Sequence, residues 1–151
     1  MPNNNIALGS RVPGEITALI PKNINHLLWQ RGLLLSSLAL AIVLTGLFIL
    51  IWARRTLGLN WNANVDTKEW QALVQKGPYA KIRHPMYSGF LIMVLGSALA
   101  YGRLLSVAIS VAFIAGFCLK ALQEESILTK RHGSAYQEYK AKTKAFIPYI
   151  V

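Results

Sequence analysis

The sequence contains very little cysteine. Its one cysteine, Cys118, lies inside an apolar run. A single thiol forms no disulfide framework within the chain, and a cysteine-based metal site requires several thiolates. The sequence therefore excludes a small disulfide-stabilised domain, predicts no metal site, and gives Cys118 a packing role.

Acidic residues are also scarce, since six Asp and Glu oppose 16 Lys and Arg and leave a formal net charge of +10. The basic residues lie between and beyond the apolar runs rather than on one soluble face, so we expect no nucleic-acid partner. Those in the middle loop and the tail are Arg54, Arg55, Lys68, Lys76, Lys81, Arg83, Lys120, Lys130, Arg131, Lys140, Lys142 and Lys144. The positive-inside rule then places both segments on the cytoplasmic side of a cytoplasmic (inner) membrane.

Three stretches lack charge altogether. Leu33–Trp52 would extend about 30 Å as a helix, which matches the hydrocarbon core of a bilayer. Met86–Tyr101 and Leu104–Leu119 would each extend about 24 Å, and their tight connection predicts an antiparallel hairpin. A buried helix of a soluble protein is the alternative for the first run. We predict an all-α integral membrane protein with one long span and a short helical hairpin.

The remaining segments suggest how the chain is organised. Residues 1–32 are an N-terminal segment with two apolar stretches compatible with interfacial helices, and residues 33–151 are the membrane domain. The loop 56–85 contains too many large apolar side chains for a disordered linker. We therefore expect this loop to be ordered and to cover a site on the cytoplasmic side.

The C-terminal part predicts two further helical features. The third apolar helix should continue towards Arg131 and stop near Gly133. A final amphipathic helix should cover about Ser134–Lys144, with Ser134 as its N-cap. Together with the loop, this helix is expected to cover the site.

The first chemical signal is a polar and aromatic cluster, formed by Gly77–Tyr79 and Arg83–Gly89, at the entry to the second apolar run. Pro85 fits the first turn of a helix, where its missing N–H costs nothing. The free N–H groups of that turn favour an anionic ligand group. The alternative is an ordinary interfacial belt of aromatic and basic residues.

The second signal is the acidic pair Glu124 and Glu125, directly after the third apolar run. Lys120 precedes Glu124 by four residues and shares its helical face. Ionisable groups at membrane depth are costly and therefore indicate function. A carboxylate here suits a cofactor that carries an ammonium and a sulfonium. The alternative is a solvated helix end with an intrahelical ion pair.

Together the two signals resemble a known family. The run L-V-x-x-G-P-Y-x-x-x-R-H-P-x-Y-x-G, an apolar hairpin, and then E-E-x-x-L-x-x-x-x-G-x-x-Y-x-x-Y and a terminal I-P are similar to the isoprenylcysteine carboxyl methyltransferase family, a relative of the membrane phospholipid methyltransferases. The resemblance implies a multi-helix membrane enzyme. It also implies a cytoplasm-facing pocket for S-adenosyl-L-methionine.

The resemblance also implies roles for individual residues. The positions that match the cofactor contacts are Asn64, Gln71, Ala72, Leu73, Val74, Tyr79, His84, Pro85, Met86, Tyr87 and Glu124. Lys120 falls where the family usually places a substrate-binding arginine. Lysine keeps the charge but lacks the planar fork that clamps a carboxylate at two points.

The expected reaction is methyl transfer to a lipid-like or prenylated acceptor, whose reacting group the residues leave open as a carboxylate, an amine or a thiol. The candidate catalytic residues are Lys120, which would orient a carboxylate, and Glu125, with His84 as an alternative base for an amine or thiol. A non-catalytic membrane subunit and a nicotinamide-dependent membrane reductase are the competing functions, although the sequence has no Gly-rich phosphate loop.

The number of helices bears on the expected assembly, because relatives commonly have further helices upstream. Either residues 1–32 replace them in part, or a partner subunit or a second copy in a homo-oligomer covers the exposed face.

Overall fold

The computed structural model describes residues 27–29, 32–58 and 72–147. In these ranges the regular elements are helical, and β-pairing is limited to isolated bridges. The four α-helices are α1 (Leu33–Leu57), α2 (Pro85–Tyr101), α3 (Leu104–His132) and α4 (Ser134–Lys142). A short 3-10 turn, Gly77–Ala80, precedes α2. The all-α prediction is confirmed. Most of the N-terminal segment and residues 59–71 of the loop lie outside the described residues.

The helices α1 and α3 are both long and apolar enough to cross a membrane. The helix α1 continues past Trp52 to Leu57, because Arg54 and Arg55 need not interrupt a helix that leaves the hydrocarbon core. The helix α2 is shorter, as its apolar run predicts. Large apolar side chains cover the outer face of α1, and Leu33 is 90% exposed. Such a surface requires lipid or another protein around it.

Small residues bring α1 and α2 into close contact. Ala39, Gly46 and Ala53 recur at every seventh position of α1, and all three are buried. Gly89 and Gly96 are buried on α2. A Cβ atom added to Gly46 would lie only 2.5 Å from the carbonyl oxygen of Gly89. The backbones therefore touch directly, as is typical of helix pairs in lipid.

A glycine turn closes the hairpin of α2 and α3. Gly102 ends α2 with a φ of 62°, and its N–H donates to the carbonyl of Ala98. Residues 27–29 bind to the same end of the hairpin. Leu28 N donates a hydrogen bond to Gly102 O at 2.7 Å, and Trp29 Nε1 donates one to Leu99 O at 2.9 Å. These residues therefore lie at the end of the hairpin opposite the start of α2.

The helix α3 continues well beyond its apolar run, as predicted, and ends at His132. Gly133 then adopts a φ of 56° and changes the chain direction. The prediction that Ser134 is the N-cap of α4 is wrong, because Gly133 occupies the cap position and Ser134 is the first helical residue. The helix α4 stops at Lys142, since the following residues form backbone hydrogen bonds with the segment before α2.

Candidate active site

The polar motif forms the start of α2. His84 directly precedes the helix and Pro85 is its first residue, and both side chains are buried. Proline fits here because the position needs no N–H donor. The first helical hydrogen bond joins Ser88 N to His84 O at 3.0 Å. The N–H groups of Met86 and Tyr87 therefore have no helical acceptor, and they point out of the polar end of α2.

Glu124 on α3 reaches this helix start. The Tyr87 hydroxyl donates a hydrogen bond to one Glu124 carboxylate oxygen, and His84 Nδ1 lies 3.6 Å from the other. The rings of His84 and Tyr87 stack at 5.4 Å with an angle of 8° between their planes. The Glu124 side chain keeps 18% of its surface exposed. The two sequence signals thus meet at one place, with a carboxylate that a ligand can reach.

Glu125 lies on the other side of His84 and binds cations. Its Oε1 accepts a hydrogen bond from Arg83 Nε at 2.7 Å, and its Oε2 lies 2.6 Å from Lys140 Nζ. His84 Nε2 is 3.4 Å from the same Oε1, but outside hydrogen-bond geometry. The Glu125 side chain is only 8% exposed. Glu125 therefore links the entry to α2, the helix α3 and the helix α4.

The C-terminal segment lies alongside the entry to α2. Arg83 N donates to Lys144 O at 2.7 Å, and His84 N donates to Ala145 O at 2.9 Å. Ser88 Oγ donates to Phe146 O at 2.6 Å. The ring of Phe146 lies 5.7 Å from that of His84. Backbone pairing therefore holds the tail over the buried imidazole and limits access of water to it.

A second contact joins α4 to the 3-10 turn. The Tyr139 hydroxyl donates to Tyr79 O at 2.7 Å, and both rings are buried. Burial raises the pKa of Tyr139 to about 12. Burial also raises the pKa of Tyr79 well above its usual range. A phenol is already neutral at physiological pH, and the raised pKa keeps both neutral to a higher pH, so the Tyr139 hydroxyl remains a donor.

Lys120 lies on the apolar side of this group. Its Nζ is 6.0 Å from the centre of the Tyr87 ring, within the range of a cation–π contact. The Tyr87 ring also packs on Phe117 at 4.9 Å, and Phe90 packs on Phe117 at 5.2 Å. Aromatic rings therefore continue from the polar group towards the apolar middle of the helix pair.

The predicted cofactor-binding residues divide into three sets. Those brought together at the α2 entry are His84, Pro85, Met86, Tyr87 and Glu124, with Tyr79 behind them in the 3-10 turn. Those in the irregular segment before the turn are Ala72, which is exposed, and Leu73 and Val74, which are half-buried. Those outside the described residues are Asn64 and Gln71.

Sequence reasoning missed the partners that organise the group. The sequence motif contains Arg83 but predicts no role for it. Lys140 stands in the sequence only as one basic residue among many. The adjacency of Arg83 to His84 was an available signal. Lys140 carries no such signal, because its contact with Glu125 depends on how α4 folds back after Gly133.

Comparisons with known proteins show the family of the chain. The family model described as phospholipid methyltransferase matches residues 34–135. The chain is 35% identical over 79 residues to a protein-S-isoprenylcysteine O-methyltransferase of Schizosaccharomyces pombe, covering 52% of this chain and 34% of that protein. It is 31% identical over 147 residues to the enzyme of that name from Xenopus laevis, covering 95% and 49%. The chain thus spans half or less of these two relatives' length.

A solved structure supports the same relationship. It is titled as the eukaryotic intramembrane Ras methyltransferase, isoprenylcysteine carboxyl methyltransferase, without a monobody. The match has a TM-score of 0.71 and 29% sequence identity, and it covers 78% of this chain and 43% of that chain. The family match includes α2 and α3 with both acidic residues. The chain belongs to the phospholipid methyltransferase family and is similar to isoprenylcysteine methyltransferases.

Proposed function

We propose that this chain transfers a methyl group from S-adenosyl-L-methionine to a lipid-like acceptor, with a prenylated cysteine carboxylate as the acceptor class. The observation that carries the proposal is the meeting of His84, Tyr87 and Glu124 where the apolar helices reach the membrane interface. The names of the relatives supply the acceptor class. The site is proposed to face the cytoplasm of a cytoplasmic membrane, because the basic residues gather at that end.

The residues at the α2 entry fit the proposed cofactor. Glu124 offers a partly exposed carboxylate for its ammonium or its ribose hydroxyls. The N–H groups of Met86 and Tyr87, which have no backbone acceptor among the described residues, suit its carboxylate. The buried Tyr136 hydroxyl has no hydrogen-bond partner among the described residues, whereas His84 Nε2 lies 3.4 Å from the Glu125 carboxylate. Buried polar groups are normally satisfied, so the Tyr136 hydroxyl is consistent with a polar ligand or water nearby. The cofactor would supply a methyl group already activated by its sulfonium.

Lys120 is the residue proposed to hold the acceptor. Its ammonium lies beside Tyr87, on the side of the group that faces the apolar helices. A carboxylate placed there would gain a charged partner while its lipid chain stayed between α2 and α3. The acceptor would then enter sideways from the bilayer, past the aromatic rings of Phe117 and Phe113.

The ion pairs of Glu125 also favour a carboxylate as the acceptor. A carboxylate nucleophile has no proton to lose, so its methylation requires no general base. Glu125 is engaged with Arg83 and Lys140 and is therefore poorly placed to take a proton from an acceptor. We propose that Glu125 positions His84 and the tail, while an amine or thiol acceptor would require a base.

The experiment follows a labelled methyl group. The purified chain in detergent is given labelled cofactor with an S-farnesylated cysteine that has a free carboxylate, with the methyl ester of the same compound, or with phosphatidylethanolamine. We expect label only with the free carboxylate, in a product that releases methanol in base. Label in a base-stable amine product would contradict the carboxylate proposal, and no transfer to any acceptor would contradict the enzyme proposal.

A further inference from the structure

An open cavity of about 360 Å³ lies between α3 and α4, next to the proposed methyl-transfer site, with which it shares Glu125. Its lining residues are Leu122, Glu125, Ser126, Thr129, Lys130 and Lys140. Ser126 follows Glu124 by two residues, which is roughly 200° around a helix. The cavity therefore opens on the side of α3 away from Tyr87 and Lys120, and it is separate from the proposed acceptor position.

The depth of the cavity matches the headgroup layer of a bilayer. From Leu104 to Leu122, α3 extends about 28 Å, close to the thickness of the hydrocarbon core. Leu122 is 64% exposed and lies at the edge of that core. Ser126 and Lys130 lie roughly 6 and 12 Å further along the helix, where lipid headgroups are found.

The charges in the cavity favour an anion. Lys130 and Lys140 contribute two ammonium groups, and Ser126 contributes a hydroxyl. Glu125 is the one acidic side chain in the lining, so two cations oppose one carboxylate there. Arg83 lies outside the lining, but it also pairs with Glu125, at 2.7 Å, and so offsets that negative charge. Lys140 keeps 51% of its side-chain surface exposed although it pairs with Glu125. A phosphate diester would therefore meet two lysines and a hydroxyl donor.

We propose that this cavity binds the headgroup of an anionic phospholipid from the leaflet in which the proposed active site lies. The phosphate contacts Lys130 and Lys140, and the glycerol end of an acyl chain contacts Leu122. The apolar edge beside the basic pocket selects a lipid rather than a free anion. The proposal does not rest on methyl transfer, since the cavity residues other than Glu125 and its partner Lys140 have no part in the proposed reaction.

The test measures lipid binding to the full chain in detergent by native mass spectrometry. Dioleoylphosphatidylglycerol is compared with dioleoylphosphatidylcholine, and we expect the anionic lipid to bind at least about five-fold more tightly. Lys130→Gln should lose about five-fold in affinity for the anionic lipid. Lys142→Gln removes the same charge from an exposed position of α4 outside the cavity and should change the affinity less than about two-fold.

Two further measurements test whether the cavity itself holds the lipid and whether a free phosphate ion can replace it. Ser126→Leu fills the cavity without a change of charge. It should weaken the binding of the anionic lipid by about as much as Lys130→Gln does. Inorganic phosphate, matched in ionic strength by chloride, should not displace the lipid. The proposal is overturned by equal binding of both lipids, by equal effects of Lys130→Gln and Lys142→Gln, or by displacement with phosphate alone. Thermal unfolding is measured for both cavity variants, Lys130→Gln and Ser126→Leu. If one of them unfolds at a lower temperature than the unchanged chain, the result is taken from the other.

Discussion

At the residue scale, the two adjacent glutamates have different surroundings. Glu124 contacts Tyr87 and His84 and remains partly exposed, whereas Glu125 is buried against Arg83 and Lys140. Neighbouring positions on a helix point about 100° apart, so one side chain reaches the α2 entry while the other reaches α4. The proposed roles follow from this difference: Glu124 binds the cofactor, and Glu125 positions the groups around it.

Amide substitution of each glutamate tests this division. Glu125→Gln removes the charge that pairs with buried Arg83, and we expect a loss of the order of 3 kcal/mol in the free energy of unfolding. Glu124→Gln should leave the unfolding temperature nearly unchanged and weaken the binding of S-adenosylhomocysteine about ten-fold or more. Thermal unfolding in detergent and calorimetric titration measure the two effects. The reverse pattern would show that the roles are exchanged.

Substitution of Lys120 tests the acceptor position. Lys120→Met removes the charge that is proposed to hold the acceptor carboxylate, so the KM for the acceptor should rise about ten-fold or more. Lys120→Arg restores the charge with a two-pronged donor and should keep the KM close to that of the unchanged chain or lower it. Steady-state kinetics at saturating cofactor give both values. A change in cofactor affinity with no change in the KM for the acceptor would contradict the proposal that Lys120 binds the acceptor.

At the scale of elements, the fold depends on the direct contact of α1 and α2. Gly46→Ala places a Cβ 2.5 Å from Gly89 O, and helix separation of this kind costs about 1–3 kcal/mol. Gly116→Ala is the matched control, because among the described residues no atom beyond its chain neighbours and its own helix backbone lies within 4 Å of the added Cβ. It should change stability by at most about 1 kcal/mol, in the stabilising direction. Thermal unfolding compares the two variants, and equal stability of both would contradict the close contact.

The elements also show how much the sequence could predict. The three apolar runs predicted α1, α2 and α3, because a charge-free stretch of sufficient length has few alternatives to a helix in lipid. The boundaries were less well predicted: α1 passes Trp52, and α4 begins after Gly133 without a Ser134 cap. Helix ends depend on local backbone geometry and tertiary contacts, which composition does not record.

The candidate site was predictable in part for the same reason. Both ends of a short hairpin return to one membrane surface, so residues at the start of α2 and beyond the apolar part of α3 had to meet, and His84 does lie beside Glu124. The pairing of the tail with the entry to α2 was not predictable. It consists of backbone hydrogen bonds between segments about 60 residues apart, which leave no periodic pattern in the side chains. The assignment of residues to cofactor and acceptor stays a prediction.

At the scale of the whole molecule, the four helices expose extensive apolar surface and gather most of their charged groups at one end, with Arg103 at the other. Leu33 and Leu34 are 90% and 86% exposed, which suits contact with lipid or with further helices. Glu124, Glu125 and the residues that bind them lie at the opposite end of the hairpin from residues 27–29. One end of the molecule therefore holds both the proposed methyl-transfer site and the proposed lipid-binding cavity. Whether a second copy covers the apolar surface stays a prediction.

The most direct test of the central claim is calorimetric titration of S-adenosylhomocysteine into the full chain in detergent. We predict one site with a Kd in the low micromolar range, about 8 kcal/mol of binding free energy. His84→Ala should weaken binding about ten-fold or more, while Ser97→Ala, a change on an exposed part of the same helix α2, should leave it unchanged. No detectable binding to the unchanged chain, or equal affinity in all three proteins, would contradict a cofactor site formed by His84, Tyr87 and Glu124.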